Sequence, residues 1–357
     1  MKKVNIVLFG VGNVGSVLIK QVLALREKLE KQGDLEINIP VIVSSTTAFF
    51  EKRGIRSSWE ADFMEFGVPY KLQDIIDYVR KNEYENLIAV DATASEKLVY
   101  NYTHLIRNGF QLVAANKIAN TLSSEFYNNL RKELREHNRH FLYETNVGAG
   151  LPVVETLKNL YSAGEKVTKI RGVFSGSLSY IFNTFSESEK SFDEVLTDAG
   201  FQGFTEPDPR IDLSGKDVAR KLLILARELK LERELAEIKI QDLVPVHLNG
   251  SSSRENFFQQ KEDLNEGFEK LRSSLKRGEV IRHIGELNVR TGELEVKLVT
   301  EEKTSPFGSL RHADASFEIY TESYGERPLV IQGAGAGAAV TARGVLSDII
   351  KLSDKLD

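Results

Sequence analysis

The 357-residue chain has no cysteine, one tryptophan and two methionines, and its 47 Lys and Arg are outnumbered by 52 Asp and Glu. Without thiols there are no disulfides, iron–sulfur clusters, thiolate zinc sites or thioester steps, so any redox reaction must borrow a cofactor. A formal net charge of −5 offers no basic face to neutralise phosphates and argues against nucleic acid as a partner. No window reaches the ~20 apolar residues of a membrane span. Met1-Lys2-Lys3 and the apolar run Val4 to Val11 superficially resemble a signal peptide, but Asn5, Gly10, Gly12 and Asn13 interrupt it and no clean cleavage site follows. These absences predict a soluble, cytoplasmic protein with no membrane partner.

What is present suggests two domains, with enough chain to bury a full core. The apolar stretch Val4 to Phe9 reads as a strand covered on both faces, and Gly10-Val11-Gly12-Asn13-Val14-Gly15 leads from it into a helical pattern through Leu29. Further strands fit Ile37 to Val43, Asn86 to Thr93, Gln111 to Ala115 and His140 to Glu144, with helices between them. Alternation of this kind means a parallel sheet with right-handed crossovers. After Pro152 the pattern changes. Helices, a strand near Lys169 to Phe174 and a loop-rich stretch precede a polar helix over about Ser253 to Lys276, then strands Glu279 to Val289, Leu294 to Val299, Ser316 to Thr321 and Pro328 to Gln332. Gly333-Ala334-Gly335-Ala336-Gly337 opens a C-terminal helix to about Leu352. The expected fold class is α/β: a Rossmann doubly wound parallel sheet over 1–146, an α+β substrate and dimerisation domain with a largely antiparallel sheet over 147–332, and a helix over 333–357 returning to the nucleotide domain.

Gly10, Gly12 and Gly15 occupy the positions of a dinucleotide turn: the first for the tight turn, the second for close approach to pyrophosphate, the third for helix–strand packing. Asn13 and Val14 then offer backbone N–H groups at the helix start. Where an NAD enzyme usually places an acid for the ribose 2′-hydroxyl, this chain has Ser44-Ser45-Thr46 with Lys52-Arg53 shortly after, which favours NADP(H) over NAD(H). Thr93 ends a strand on the ligand edge; it reads equally as a helix N-cap. Gly203 and Gly335 join the cofactor-binding candidates, the latter because a second glycine-rich helix start can approach a nucleotide, with plain helix packing as the alternative.

The densest polar stretch runs from Gly203 to Lys221 and includes Glu206, Asp217 and Lys221. Ser214 and Asp217 form an S-x-x-D pattern, so Asp217 reads most simply as a capping carboxylate and Lys221 as its surface ion-pair partner one turn on.

Taken together, ETNVGAGLP from Glu144, GVFSGSLSYIFN from Gly172, TEPDPR and DLSGKDVARKLLILARE between Thr205 and Glu228, and VIQGAGAG from Val330 resemble homoserine dehydrogenase. The similarity runs along nearly the whole chain and is greatest to the homoserine dehydrogenase portion of fused aspartokinase enzymes, without a kinase portion. The resemblance implies NAD(P)(H)-dependent interconversion of L-aspartate 4-semialdehyde and L-homoserine in threonine and methionine biosynthesis, by a homodimer. It implies Glu206 and Asp217 as substrate-binding carboxylates, Lys221 as the catalytic lysine and Lys117 of AANKIA as a second lysine of the active site that also meets the cofactor. It also implies a monovalent cation, sodium, on the carbonyls of Val147, Ala149 and Leu151 with Glu144 nearby; a tight turn closed by Pro152 is the plainer alternative. The chemistry agrees with these roles. An amino-acid substrate carries an ammonium for carboxylates to bind, and hydride addition to an aldehyde leaves an alkoxide that an ammonium can protonate.

The segment Arg311 to Ser316 lacks the Thr-Asp-Asn pattern associated with this region in many relatives, which bears on assembly more than on the reaction. His137 and His140 have a spacing compatible with metal ligation but no third ligand. The alternatives are another amino-acid or aldehyde reductase on the same scaffold and a non-catalytic NADP(H)-binding sensor.

Overall fold

A computed structural model describes residues 2–249 and 253–356. The chain divides into two units: unit 1 runs to Gly150 and resumes at Gly337, and unit 2 spans Leu151–Ala336.

Unit 1 begins with β1 (Lys2–Phe9), α1 (Asn13–Gly33), β2 (Leu35–Val43), β3 (Thr47–Phe50), α2 (Trp59–Phe66), β4 (Val68–Pro69) and α3 (Leu72–Lys81). It continues with β5 (Leu87–Asp91), α4 (Glu96–Val99), α5 (Tyr102–Arg107), β6 (Gln111–Ala114), α6 (Ser124–Glu136) and β7 (Phe141–Leu142). The sheet order is β4-β3-β2-β1-β5-β6-β7. From β2 to β7 neighbouring strands are parallel; β3 and β4 add an antiparallel edge. Because helices cover both faces, Val4, Ile6, Val7 and Leu8 are all fully buried, each worth roughly 1.5–3 kcal/mol of burial. Trp59 of α2 joins this core and Phe63 packs against it.

Unit 2 contains α7 (Val153–Ser162), β8 (Val167–Val173), α8 (Gly176–Glu187), α9 (Phe192–Phe201), α10 (Arg210–Leu213), α11 (Lys216–Glu228) and β9 (Lys239–Ile240). After these come α12 (Arg254–Gln260), α13 (Asn265–Ser273), β10 (Glu279–Asn288), β11 (Glu293–Glu302), β12 (Asp314–Thr321) and β13 (Leu329–Ala334). Its sheet runs β13-β12-β8-β10-β11-β9 and is antiparallel except for the β11–β9 pair. The expected polar helix over 253–276 is two helices separated by a 3-10 turn at Lys261–Leu264; residues 250–252 lie outside the described chain. Arg311 leads into β12 through His312, whose φ is +52° and whose carbonyl accepts a hydrogen bond from Asn183.

The last helix, α14 (Ala338–Ser353), belongs to unit 1. It begins later than the sequence suggests, because Gly333 and Ala334 extend β13. Among the described residues no helix is long and apolar enough to cross a membrane.

Candidate active site

At the carboxyl ends of β1 and β5, where strand order reverses, unit 1 has a cleft of about 780 Å³. Gly10, Gly12, Ser44, Ser45 and Thr93 line it together. A Cβ on Gly10 would lie 2.8 Å from the Ala92 carbonyl, and one on Gly15 would lie 1.9 Å from the Gly10 carbonyl, so both must be glycine. Nothing lies within 4 Å of the corresponding point on Gly12, which leaves the backbone open to a ligand. Gly12 caps α1 without a side-chain hydrogen bond, and the first turn, which holds Asn13, Val14 and Gly15, has no acid. An uncapped helix start of this length is a ready anion site and fits a pyrophosphate.

The cation expected near Ser44 is not where the sequence puts it. β3 runs antiparallel to β2 and carries Lys52 and Arg53 away from the ligand edge; Glu51 already bonds back to Pro40. The chain returns through α2 and β4, and it is Lys71, beside Tyr70, that lines the cleft together with Lys97. The Tyr70 hydroxyl donates to the Ser44 carbonyl at 3.3 Å. Among the described residues lining the cleft there are two lysines and no carboxylate. Thr93 is not a helix cap: Ser95 caps α4 by accepting from Leu98 N.

Lys117 opens a 3-10 turn after β6, between Asn116 and Ile118. Glu144, Val147 and Ala149 are buried, with Gly148 and Ala149 both in the left-handed region at φ +78° and +55°. The Glu144 N–H donates to Asp348 of α14 at 2.9 Å. Leu151 begins unit 2, and its carbonyl accepts from Val153 N. Among the described residues no group of three or more His, Asp or Glu could hold a metal ion, and His137 faces Glu133 instead.

In unit 2, Lys221 of α11 has a side chain only 12% exposed. Its Nζ lies 2.8 Å from Asp217 Oδ2 and donates to the Phe174 carbonyl at 2.8 Å. This is more than a solvated surface pair, because the ammonium is fixed from two sides. The expected Ser214 cap does not form. Gly215, at φ +65°, is the N-cap, and Ser214 donates to the Ile211 carbonyl.

Glu206 is exposed on a turn built by its neighbours. Asp208 forks onto Arg210 at 2.7 Å, and Arg210 reaches the Leu248 carbonyl. Asp212 accepts the Glu206 N–H at 2.8 Å. Burial, together with the charges of Glu206 and Asp217, pushes the Asp212 carboxyl up, while hydrogen bonds from Glu206 and Ser177 oppose the shift. Asp212 was not singled out by sequence, although it lies in the same polar stretch. Gly203, at φ +75°, and Gly335, whose Cβ would lie 2.2 Å from that of Ala315, both belong to unit 2. Close packing accounts for glycine at 335.

The homoserine dehydrogenase family profile matches residues 152–350, and the homoserine dehydrogenase NAD-binding domain profile matches residues 10–144. A homoserine dehydrogenase of Schizosaccharomyces pombe is 35% identical over 363 residues, covering 99% of this chain and 96% of that protein. A bifunctional aspartokinase/homoserine dehydrogenase of Haemophilus influenzae is 37% identical over 352 residues, or 98% of this chain; the chain spans 43% of that protein's length. Among solved structures, a Candida auris protein of unknown function superimposes with a TM-score of 0.90 at 32% identity, covering 100% of this chain and 99% of that one. A hyperthermophilic archaeal homoserine dehydrogenase in complex with NADPH shares the fold, at a TM-score of 0.74 and 24% identity, with 99% of each chain covered.

Proposed function

The chain belongs to the homoserine dehydrogenase family, and from that premise we propose that it interconverts L-aspartate 4-semialdehyde and L-homoserine with NADP(H). The observation that carries this reading is the fixed ammonium of Lys221, held by Asp217 and the Phe174 carbonyl in the unit that also presents Glu206. When bound, NADPH supplies the hydride that converts the aldehyde to the alcohol. Lys221 holds the proton that the new alkoxide oxygen takes up, and in the oxidative direction it accepts that proton back. Lys117 supplies a second ammonium. Glu206 and Asp217 bind the amino acid's own ammonium, and Asp212 keeps the Glu206 turn in place.

The preference for NADP(H) over NAD(H) is supported by the cleft's lysines. Ser45 offers a hydroxyl while that of Ser44 is spent on the Thr47 backbone, Lys71 and Lys97 offer positive charge, and among the described residues lining the cleft no acid stands ready for a free 2′-hydroxyl. Sodium on Val147, Ala149 and Leu151 with Glu144 is supported by the successive left-handed peptides at Gly148 and Ala149, which turn backbone carbonyls within a buried loop. A cytoplasmic homodimer completes the reading.

The test is nicotinamide absorbance with purified protein, L-homoserine and each oxidised cofactor in turn. Turnover that is faster with NADP+ supports the reading. Protein that binds NADPH yet turns over neither homoserine nor aspartate semialdehyde is a sensor, and the enzymatic reading then fails. Omitting sodium and potassium should lower activity or melting temperature; no change in either assigns the 147–151 loop to an ordinary turn.

A further inference from the structure

Asp91 is a buried carboxylate that the reaction above leaves unused. It ends β5, is 2% exposed, and takes four hydrogen bonds from uncharged donors. Oδ1 accepts from Thr93 N at 2.8 Å and Thr93 Oγ1 at 2.7 Å. Oδ2 accepts from the Tyr102 hydroxyl at 2.6 Å and Asn116 Nδ2 at 3.0 Å. Burying a carboxylate without a cation is costly, and only donors on every side make it tolerable. Burial pushes the Asp91 carboxyl up, and these hydrogen bonds pull it back.

Of the donor residues, Thr93 lines the nucleotide cleft and Asn116 adjoins Lys117. Thr93 spends its hydroxyl proton on Asp91 and accepts the Ser95 N–H at 3.0 Å, which fixes its rotamer. Its methyl then sits against the first glycine of the dinucleotide turn, where a Cβ on Gly10 would lie 2.8 Å away. Asn116 is pinned three ways, since Nδ2 also reaches the Ser95 carbonyl at 3.2 Å and Oδ1 accepts the Ile118 N–H at 3.0 Å. Those bonds grip the chain on both sides of Lys117. The Asp91 backbone carbonyl accepts from Ala115 N at 2.9 Å as well.

We infer that Asp91 is a positioning residue: its one carboxylate holds the Thr93 wall of the nucleotide cleft and the Asn116–Ile118 turn bearing Lys117 in a single geometry. The inference rests on the dehydrogenase reading and adds a residue to it. Asp91→Asn keeps the size but replaces one acceptor oxygen with an NH2 that faces donors, so the Thr93 or the Asn116 connection must give way.

The experiment measures kcat and KM for aspartate semialdehyde reduction in wild type, Asp91→Asn, Lys117→Ala and the double variant, with melting temperature alongside. Misplacing a reacting group by an ångström costs on the order of 10²-fold, so kcat of Asp91→Asn should fall roughly 10- to 100-fold with KM little changed. In the Lys117→Ala background the same substitution should cost much less, because the group it positions is gone. An equal loss in both backgrounds, or a lower melting temperature with kcat intact, overturns the inference. Should Asp91→Asn fail to fold, Asn116→Ala breaks the link from the other side; it should reproduce both the kcat loss and the non-additivity, and wild-type kcat there overturns the inference too. Absence of turnover in the wild type would remove the underlying reading, whereas an active wild type with unimpaired variants removes only the positioning role.

Discussion

Lys221 and Phe174 are 47 residues apart in sequence, yet the lysine Nζ donates to the phenylalanine carbonyl at 2.8 Å. Gly172 and Gly285 face each other across β8 and β10, and the Phe174 ring lies over both. A Cβ on Gly285 would sit 2.9 Å from the ring and 3.2 Å from Val218 of α11, so Gly285→Ala should displace the ring and with it the acceptor of Lys221. We expect a reduced kcat with cofactor affinity retained. Gly267→Ala, where nothing lies within 4 Å, is the control. Equal kcat in the two variants would show that Phe174 does not set the position of the ammonium.

Glu206 and Asp212 should fail differently. Glu206→Gln removes a charge from the substrate's ammonium, worth roughly 1.5–3 kcal/mol, so KM for homoserine should rise about 10- to 100-fold with kcat less affected. Asp212→Ala frees the Glu206 N–H and should raise KM by a smaller factor. Because the Asp212 carboxyl is pushed up, the wild-type KM should also rise on acidification earlier than an ordinary aspartate would dictate, and this dependence should vanish in Asp212→Ala. Steady-state kinetics across the acid range decides; unchanged KM in both variants removes the two carboxylates from substrate binding.

Much of this was legible in the sequence for physical reasons. Strands buried on both faces read as unbroken apolar runs, and the glycines at 10, 12 and 15 have fixed jobs at the end of such a strand. The excursion through β3, α2 and β4 was not legible. Its strands are four and two residues long, at the sheet edge, and Trp59 and Phe63 carry only a faint helical spacing. Missing that excursion put the cation on Lys52 and Arg53, because only the return of the chain brings Lys71 back to Ser44. Asp91 left one signal, an acid inside the run LIAVDAT, but the donors that make it tolerable come from residues 93, 102 and 116.

Cofactor choice should respond to Lys71. Removing its charge with Lys71→Ala should raise the Kd of NADPH several-fold while leaving that of NADH nearly unchanged, since only the former carries a 2′-phosphate. Fluorescence titration of each reduced cofactor checks this. Parallel changes for both would mean that Lys71 does not discriminate between them.

His283 makes stability depend on pH. It is buried in β10, stacked on Phe182, and neither ring nitrogen has a hydrogen-bond partner among the described residues. Burial pushes its pKa down to about 4. The unfolded histidine titrates near 6.5, so between those values the unfolded chain binds the extra proton, and stability present above about pH 6.5 is lost as the pH falls toward 4, on the order of 3 kcal/mol. In His283→Leu that part of the slope should disappear. Denaturant midpoints measured from neutral to acidic pH test this, and parallel curves for the two proteins would contradict it.

The most direct measurement is NADPH consumption with L-aspartate 4-semialdehyde by the purified protein, repeated with Lys221→Ala. A positioned general acid contributes about 10²- to 10⁴-fold, so the account requires turnover in the first and a kcat at least about a hundredfold lower in the second, with NADPH affinity little changed. A near-normal kcat in Lys221→Ala would contradict it.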